Sequence, residues 1–176
     1  GDIVNNGTWS LATTSISGTA DHFIEQTQGT QFEGPFSMTD SVGNVVLKSD
    51  VLFTGSTFNL NKTVLRTNGH VFRTKNQTLT NGYIASEDTL MLDNSIIESL
   101  NFSGNYKLSG NIYSQGNIIC NDTLTIIDTL FNRYGWTNTI WVKGNIINKG
   151  TFKNNPDGYS LSVNIDGNVR NEGIWN

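Results

Sequence analysis

The residues of this chain that are best suited to acid–base chemistry are a few charged side chains near its middle: Arg73, Lys75, Glu87, Asp88, Asp93 and Glu98. Glycoside cleavage commonly needs two carboxylates that flank the scissile bond. Adjacent residues of a strand point to opposite faces, so Glu87 and Asp88 would not lie side by side. We therefore predict no catalytic residues, and we interpret these charges as solvated corner positions.

The candidate metal ligands are equally sparse. His22 and His70 are the only histidines, and they are widely separated along the chain. Zinc sites usually need three or four closely arranged ligands, and repeat-type calcium sites follow glycine- and aspartate-rich motifs that this sequence lacks. The single cysteine, Cys120, lies in an apolar run, and we predict that it is a small buried hydrophobic residue. We predict no metal site and no cofactor.

The candidate ligand-binding residues are Arg133, Tyr134, Trp136 and Trp141. Sugar rings pack against flat aromatic faces, and charged or amide groups take their hydroxyls. Trp141 stands between Ile140 and Val142, so it should point outward if those two residues point inward. The four residues predict a groove for a carbohydrate or a peptide, and the alternative is aromatic packing against the protein's own surface.

Threonine spacing raises a further alternative, which is ice binding. Thr123 with Thr125, and Thr137 with Thr139, form the Thr-x-Thr pairs that a flat ice-binding face would use. Asn, Ser and Lys occupy the corresponding positions elsewhere, so no regular array is predicted.

Composition restricts the fold and the partners. With 24 Asn, 21 Thr and only 15% charged residues, the chain is rich in weak helix formers that favour turns. A formal net charge of -4 and a pI of about 5.0 argue against a nucleic-acid partner, which would need clustered Lys and Arg. No apolar run reaches the roughly 18 residues of a membrane span. We expect an all-β protein with little or no helix.

A five-residue unit recurs from Val45 onward: an apolar residue, three polar or small residues, then a β-branched residue. It is found at Leu47–Val51, Leu60–Val64, Leu92–Ile96, Leu108–Ile112, Val142–Ile146 and Ile165–Val169. An apolar residue often stands two positions earlier, which is the period of a strand with one inward face. Each unit therefore predicts a strand, a corner and a second strand.

The spacing of these units predicts stacked coils. Most intervals fit one or two turns of about 23 residues, within the range of solenoid repeats. The interval from Leu108 to Val142 does not fit, so we place an insertion near 129–138. The result is a right-handed parallel β-helix of about six to seven coils in a single domain, 1–176, in which 45–176 forms regular coils and 1–43 an irregular first coil or cap. An antiparallel β-sandwich is the competing fold.

Three phrases carry a resemblance to known proteins: FTGSTFNLN (Phe53–Asn61), LSGNIYSQGNIICNDTLTI (Leu108–Ile126) and VKGNIINKGTF (Val142–Phe152). They resemble the repeats of large secreted bacterial surface proteins and adhesins with the pectate-lyase-like fold. The resemblance implies a structural and adhesive segment, extracellular or at the bacterial cell surface. Its partners would be polysaccharide, another surface protein or neighbouring modules of a longer chain. The alternative is a polysaccharide-binding module, or a lyase or hydrolase that acts on polysaccharide.

Overall fold

The computed structural model of the protein describes residues 1–27, 31–39, 42–133, 137–155 and 160–176. These residues form β-strands joined by short corners, and no helix is found among them. In chain order the strands are β1 (Ile3–Asn5), β2 (Trp9–Ser10), β3 (Thr14–Ile16), β4 (His22–Gln26), β5 (Phe32–Glu33), β6 (Phe36–Met38), β7 (Asn44–Leu47), β8 (Val51–Thr54), β9 (Thr57–Asn59), β10 (Val64–Arg66), β11 (Phe72–Lys75), β12 (Thr78–Ala85), β13 (Thr89–Asp93), β14 (Ser95–Ser103), β15 (Lys107–Ser109), β16 (Asn111–Gln115), β17 (Asn117–Cys120), β18 (Leu124–Ile126), β19 (Thr129–Asn132), β20 (Asn138–Val142), β21 (Ile146–Asn148), β22 (Thr151–Lys153), β23 (Leu161–Ile165), β24 (Val169–Asn171) and β25 (Ile174–Trp175).

The strands stack into a parallel β-solenoid with three faces. Face 1 contains β1, β4, β7, β10, the second halves of β12 and β14, β17, β20 and β23. Face 2 is the nine-stranded sheet β2-β5-β8-β11-β13-β15-β18-β21-β24. Face 3 contains β3, β6, β9, the first halves of β12 and β14, β16, β19, β22 and β25. The chain visits the faces in the order 1, 2, 3, and every strand pairs with the equivalent strand one turn away.

All pairings between the described strands are parallel, which confirms the predicted solenoid and excludes the antiparallel sandwich. The solenoid has about eight turns, so the six or seven predicted turns are too few. The reason is that the turns differ in length. The turns in the middle of the chain, from Ile84 to Phe102 and from Phe102 to Cys120, are shorter than the predicted repeat. Turns nearer the C-terminus, such as the one from Val142 to Ile165, have the predicted length of about 23 residues.

The repeated five-residue units do not mark equivalent corners. Leu108 lies on face 2, and its partner one turn on is Ile126. Val142 lies on face 1, in register with Cys120. The interval from Leu108 to Val142 therefore does not measure a whole number of turns, because the two residues lie on different faces. Within the segment predicted as an insertion, Thr129–Asn132 is β19, which pairs with β16 and β22, and residues 134–136 lie outside the described ranges. At the other end of the chain, β1 to β6 join the same ladders as later strands.

The core is a column of inward side chains that runs the length of the solenoid. Aromatic rings fill its first half, with Phe32 stacked on Phe53 at 4.9 Å and Phe36 stacked on Phe58 at 5.7 Å between ring centroids. All four rings are buried. Each ring covers the ring of the turn before it, so apolar area leaves water only when turns stack.

Pairs of asparagines join successive turns. Asn94 donates from Nδ2 to Oδ1 of Asn76 at 2.6 Å, one turn away. Asn148 donates in the same way to Asn171 at 2.8 Å. Each bond satisfies the donating amide with a residue of the neighbouring turn.

Candidate functional site

Trp141 points away from the core, as its alternation with Ile140 and Val142 predicts. Its side chain is 45% exposed, whereas both neighbours are fully buried. The indole Nε1 donates to Asp166 Oδ2 at 3.3 Å, which orients the ring along face 1. Trp141 is therefore an accessible, oriented aromatic platform.

Arg133 lies across a corner from Trp141. It follows β19 on face 3, and its guanidinium Nη1 donates to Oε1 of Gln115. Gln115 in turn donates to Oε1 of Glu98 at 2.8 Å. These bonds hold Arg133 along face 3, while Trp141 faces outward from face 1. Tyr134 and Trp136 lie outside the described residues.

An outward row on face 1 connects Trp141 to a second aromatic residue. The register runs from Tyr83 to Asn101, Ile119 and Trp141 in four successive turns. Tyr83 is 45% exposed, like Trp141. At the strand spacing of parallel sheets the two rings stand about 14 Å apart along the rod. Over these four turns, face 1 therefore exposes two aromatic residues that are separated by one polar and one apolar residue.

A hollow of about 250 Å³ opens beside Tyr83, at the corner where face 3 meets face 1. We call it the Tyr83 hollow. It is lined by Asn61, Lys62, Asn81, Gly82, Tyr83, Ser99 and Asn101. The lining combines one aromatic ring, three amides, two hydroxyls and an ammonium group, and it contains no carboxylate.

The polar groups of the Tyr83 hollow are largely free to bind a ligand. The side chains of Asn81, Tyr83 and Asn101 hydrogen-bond to no residue of the described ranges, and Lys62 forms no ion pair with one. Asn61 donates from Nδ2 to the carbonyl oxygen of Met38 at 3.1 Å, and its side-chain oxygen remains available to accept a hydrogen bond from a ligand. The site therefore offers donors and acceptors at the surface that the fold itself does not use.

The backbone of the hollow is left-handed at four residues that are not glycine. The φ angles are 44° at Asn61, 68° at Lys62, 58° at Asn81 and 50° at Ser99. Asn tolerates this conformation well, but Lys does so at a cost. Such strain concentrates at functional sites, where the side chain is needed in its position. The corner thus carries a lysine at a backbone position where glycine would be less strained.

A second hollow, of about 360 Å³, lies at the opposite edge of face 1 and includes Arg66, Thr67, Ser86 and Glu87. Several of its polar groups already have partners. Thr67 Oγ1 donates to Ser86 Oγ at 3.0 Å, Arg66 Nε donates to Asn44 Oδ1 at 3.0 Å, and Glu87 accepts from the Asn105 amide at 3.1 Å. We therefore rank the Tyr83 hollow above it as a binding site.

The carboxylates considered for catalysis are spread around the rod. Glu87 borders the edge between faces 1 and 2, Asp93 ends a strand of face 2, and Glu98 lies on face 3. The histidines are also apart, His22 near Asp2 and His70 near Asp50, each at 3.9 Å. No group of three or more potential metal ligands occurs within the described ranges.

The threonine pairs considered for ice binding lie on different faces. Thr125 is on face 2 and nearly buried, and the residue one turn on is Ile147. Thr139 is on face 1, with Asn117 and Ser162 as its neighbours in register. These positions form no continuous threonine array.

Cys120 lies inside the core, as predicted, and is not a reactive site. Burial raises the pKa of its thiol to about 12, so the thiolate is scarcely populated at neutral pH. It faces Tyr106, a fully buried residue whose hydroxyl has no nitrogen or oxygen partner among the described residues. Burial is also the main cause that raises the pKa of Tyr106 well above its ordinary value.

No protein-family model, curated protein or solved structure matches this chain. Within the described ranges there is also no long apolar helix of the kind that crosses a bilayer.

Sequence reasoning predicted the outward position of Trp141 but missed the Tyr83 hollow. Asn61 and Lys62 form the corner of the unit Leu60–Val64, whose pattern predicts only structure. Tyr83 belongs to the next turn of the chain, and the register alone brings it beside that corner. The sequence feature that could have indicated the hollow is Lys62, because it occupies a corner position that Gly or Asn usually fills.

Proposed function

We propose that this chain is a structural and adhesive β-solenoid segment of a secreted or cell-surface bacterial protein, and that it binds glycans on a lateral face. Within this proposal its fold belongs with the pectate-lyase-like repeats of large surface proteins. The observation that carries the proposal is face 1, a continuous outward surface that exposes Tyr83 and Trp141 in one register row.

The rod-like role is supported by the construction of the core. Each turn buries its apolar side chains against the next, so stability accumulates with the number of turns.

The glycan-binding role is supported by the chemistry of face 1. Tyr83 and Trp141 offer flat rings, and the groups between them are an amide and an aliphatic side chain. Aromatic residues with an apolar body and a polar tip suit ligands that are themselves amphipathic. Pyranose rings have this character, with C–H faces and hydroxyl edges.

The test is a binding screen of the purified chain on bacterial, plant and algal polysaccharides, with degradation products assayed in the same wells. We expect binding without cleavage, and Trp141→Ala should weaken it. Met91→Ala is the matched control, because Met91 is similarly exposed but lies on face 2. Cleavage of any polysaccharide would replace the adhesive role with an enzymatic one. If the chain binds none of the glycans, the glycan-binding part of the proposal is wrong.

A further inference from the structure

We propose that the Tyr83 hollow is a subsite for a carboxylate-bearing sugar residue of an acidic glycan. The inference rests on the proposed glycan binding and goes further by assigning the ligand's charge and the residues that select it. The protein has a formal net charge of -4, yet the hollow contains one ammonium group and no carboxylate. The charged side chain that lines the hollow is positive, although the protein as a whole is acidic.

The ammonium group of Lys62 is the proposed anchor. It forms no ion pair within the described ranges, so its charge is available to a ligand. Hydrogen bonds between an ammonium and a carboxylate are roughly twice as strong as neutral ones. The left-handed backbone at Lys62 keeps this side chain at the corner beside the hollow.

The remaining lining favours a sugar over a peptide. Tyr83 supplies a ring face, and Asn81 and Asn101 each supply both a donor and an acceptor, which suits neighbouring hydroxyl groups. A peptide would most simply bind by adding a strand to an open sheet edge. The strands at the hollow have no open edge, because β12 is paired on both sides, with β9 and β10 before it and β14 after it.

The experiment measures binding of the purified chain to oligosaccharides of alginate, polygalacturonate and hyaluronan, each paired with its carboxyl-reduced form. Reduction converts the carboxylate to a hydroxymethyl group and leaves the ring in place. We expect at least one acidic glycan to bind about tenfold more tightly than its reduced form. Equal binding of every pair, or no binding to any acidic member, would overturn the proposal.

Two variants locate the site. Lys62→Gly removes the ammonium and suits the left-handed backbone, so it should lower the affinity about tenfold without lowering the melting temperature. Tyr83→Ala should cause a similar loss for the acidic glycan. The controls are Lys107→Gln, which removes an exposed ammonium on face 2, and Tyr113→Ala, which removes an outward ring on face 3.

The outcomes separate this inference from the general proposal. If the chain binds glycans but neither Lys62→Gly nor Tyr83→Ala changes the affinity, glycan binding stands and the hollow is not its site. Poly-L-glutamate is the third probe, with carboxylates but no sugar ring. If it binds as well as the acidic glycans and is equally sensitive to both variants, the hollow is a general anion site and the saccharide assignment is wrong.

Discussion

Gly150→Ala should destabilise the solenoid strongly, while Gly7→Ala should not. Both glycines stand at the same place in a repeated phrase, Asn-Asn-Gly-Thr-Trp at residues 5–9 and Asn-Lys-Gly-Thr-Phe at residues 148–152. Neither has a left-handed φ. A methyl group on Gly150, however, would lie 1.9 Å from the carbonyl oxygen of Asp128, one turn away, whereas one on Gly7 meets nothing within 4 Å.

The size of the effect follows from this contact. An ordinary contact begins at 3.4 Å, so the two turns would have to separate by roughly 1.5 Å. That movement would break the backbone hydrogen bond from Thr151 N–H to Asp128 O, at 2.6 Å, which joins the same two turns. Overpacking costs about 1–3 kcal/mol and the lost hydrogen bond about 0.5–1.5 kcal/mol, which gives about 1.5–4.5 kcal/mol in total.

The assay is thermal and urea unfolding of both variants, followed by circular dichroism, with amide exchange measured at Thr151 and Ile174. For a chain of this length we expect Gly150→Ala to lower Tm by roughly 10 °C, and Gly7→Ala to leave it unchanged or raise it slightly. Faster exchange of the Thr151 amide than of the Ile174 amide would place the damage between the turns of Gly150 and Asp128. Similar melting temperatures for the two variants would refute the steric reasoning.

Three further predictions concern the core and one corner. Tyr106→Phe should stabilise the protein by about 1 kcal/mol in urea unfolding, because it removes a buried hydroxyl without an oxygen or nitrogen partner among the described residues; destabilisation would show that the contact with the Cys120 thiol matters. Cys120 should react with a thiol reagent only as fast as the protein unfolds, and rapid labelling of the folded state would contradict its burial and its pKa of about 12. Hydrogen bonds from Ser109 and Gly110 lower the pKa of Asp128, so its contribution to stability is complete above an ordinary Asp pKa of about 3.9 and is lost as the pH falls through the lower folded value. Asp128→Asn should therefore reduce stability at neutral pH and flatten its decline in acid, and an unchanged pH profile would count against this role.

Much of the fold could be predicted from the residues. Inward and outward alternation at Ile140, Trp141 and Val142 is correct, because a strand has a period of two wherever it lies. The predicted number of turns is too low because the units look alike at every corner. Leu108 and Val142 share a local pattern but belong to different faces, and no local feature distinguishes them.

The candidate site also has one part that its local sequence predicts and one part that depends on how the turns pair. Trp141 could be identified from its own strand, since its exposure depends only on its neighbours. The Tyr83 hollow could not, because Lys62 and Tyr83 come from consecutive turns and meet through the register. The length of the turn from Leu65 to Ile84 sets that register.

The sequence by itself determined that this protein is a stack of strands and corners: periodic apolar residues must be buried, and weak helix formers rich in Asn and Gly favour corners. Only the tertiary structure decided which corner meets which. Gly7 and Gly150 have similar local sequences, yet of these two only Gly150 has a carbonyl of another turn against it. Stacking joins residues that are distant along the chain, and the length of each turn, not the local pattern, sets which side chains share a surface.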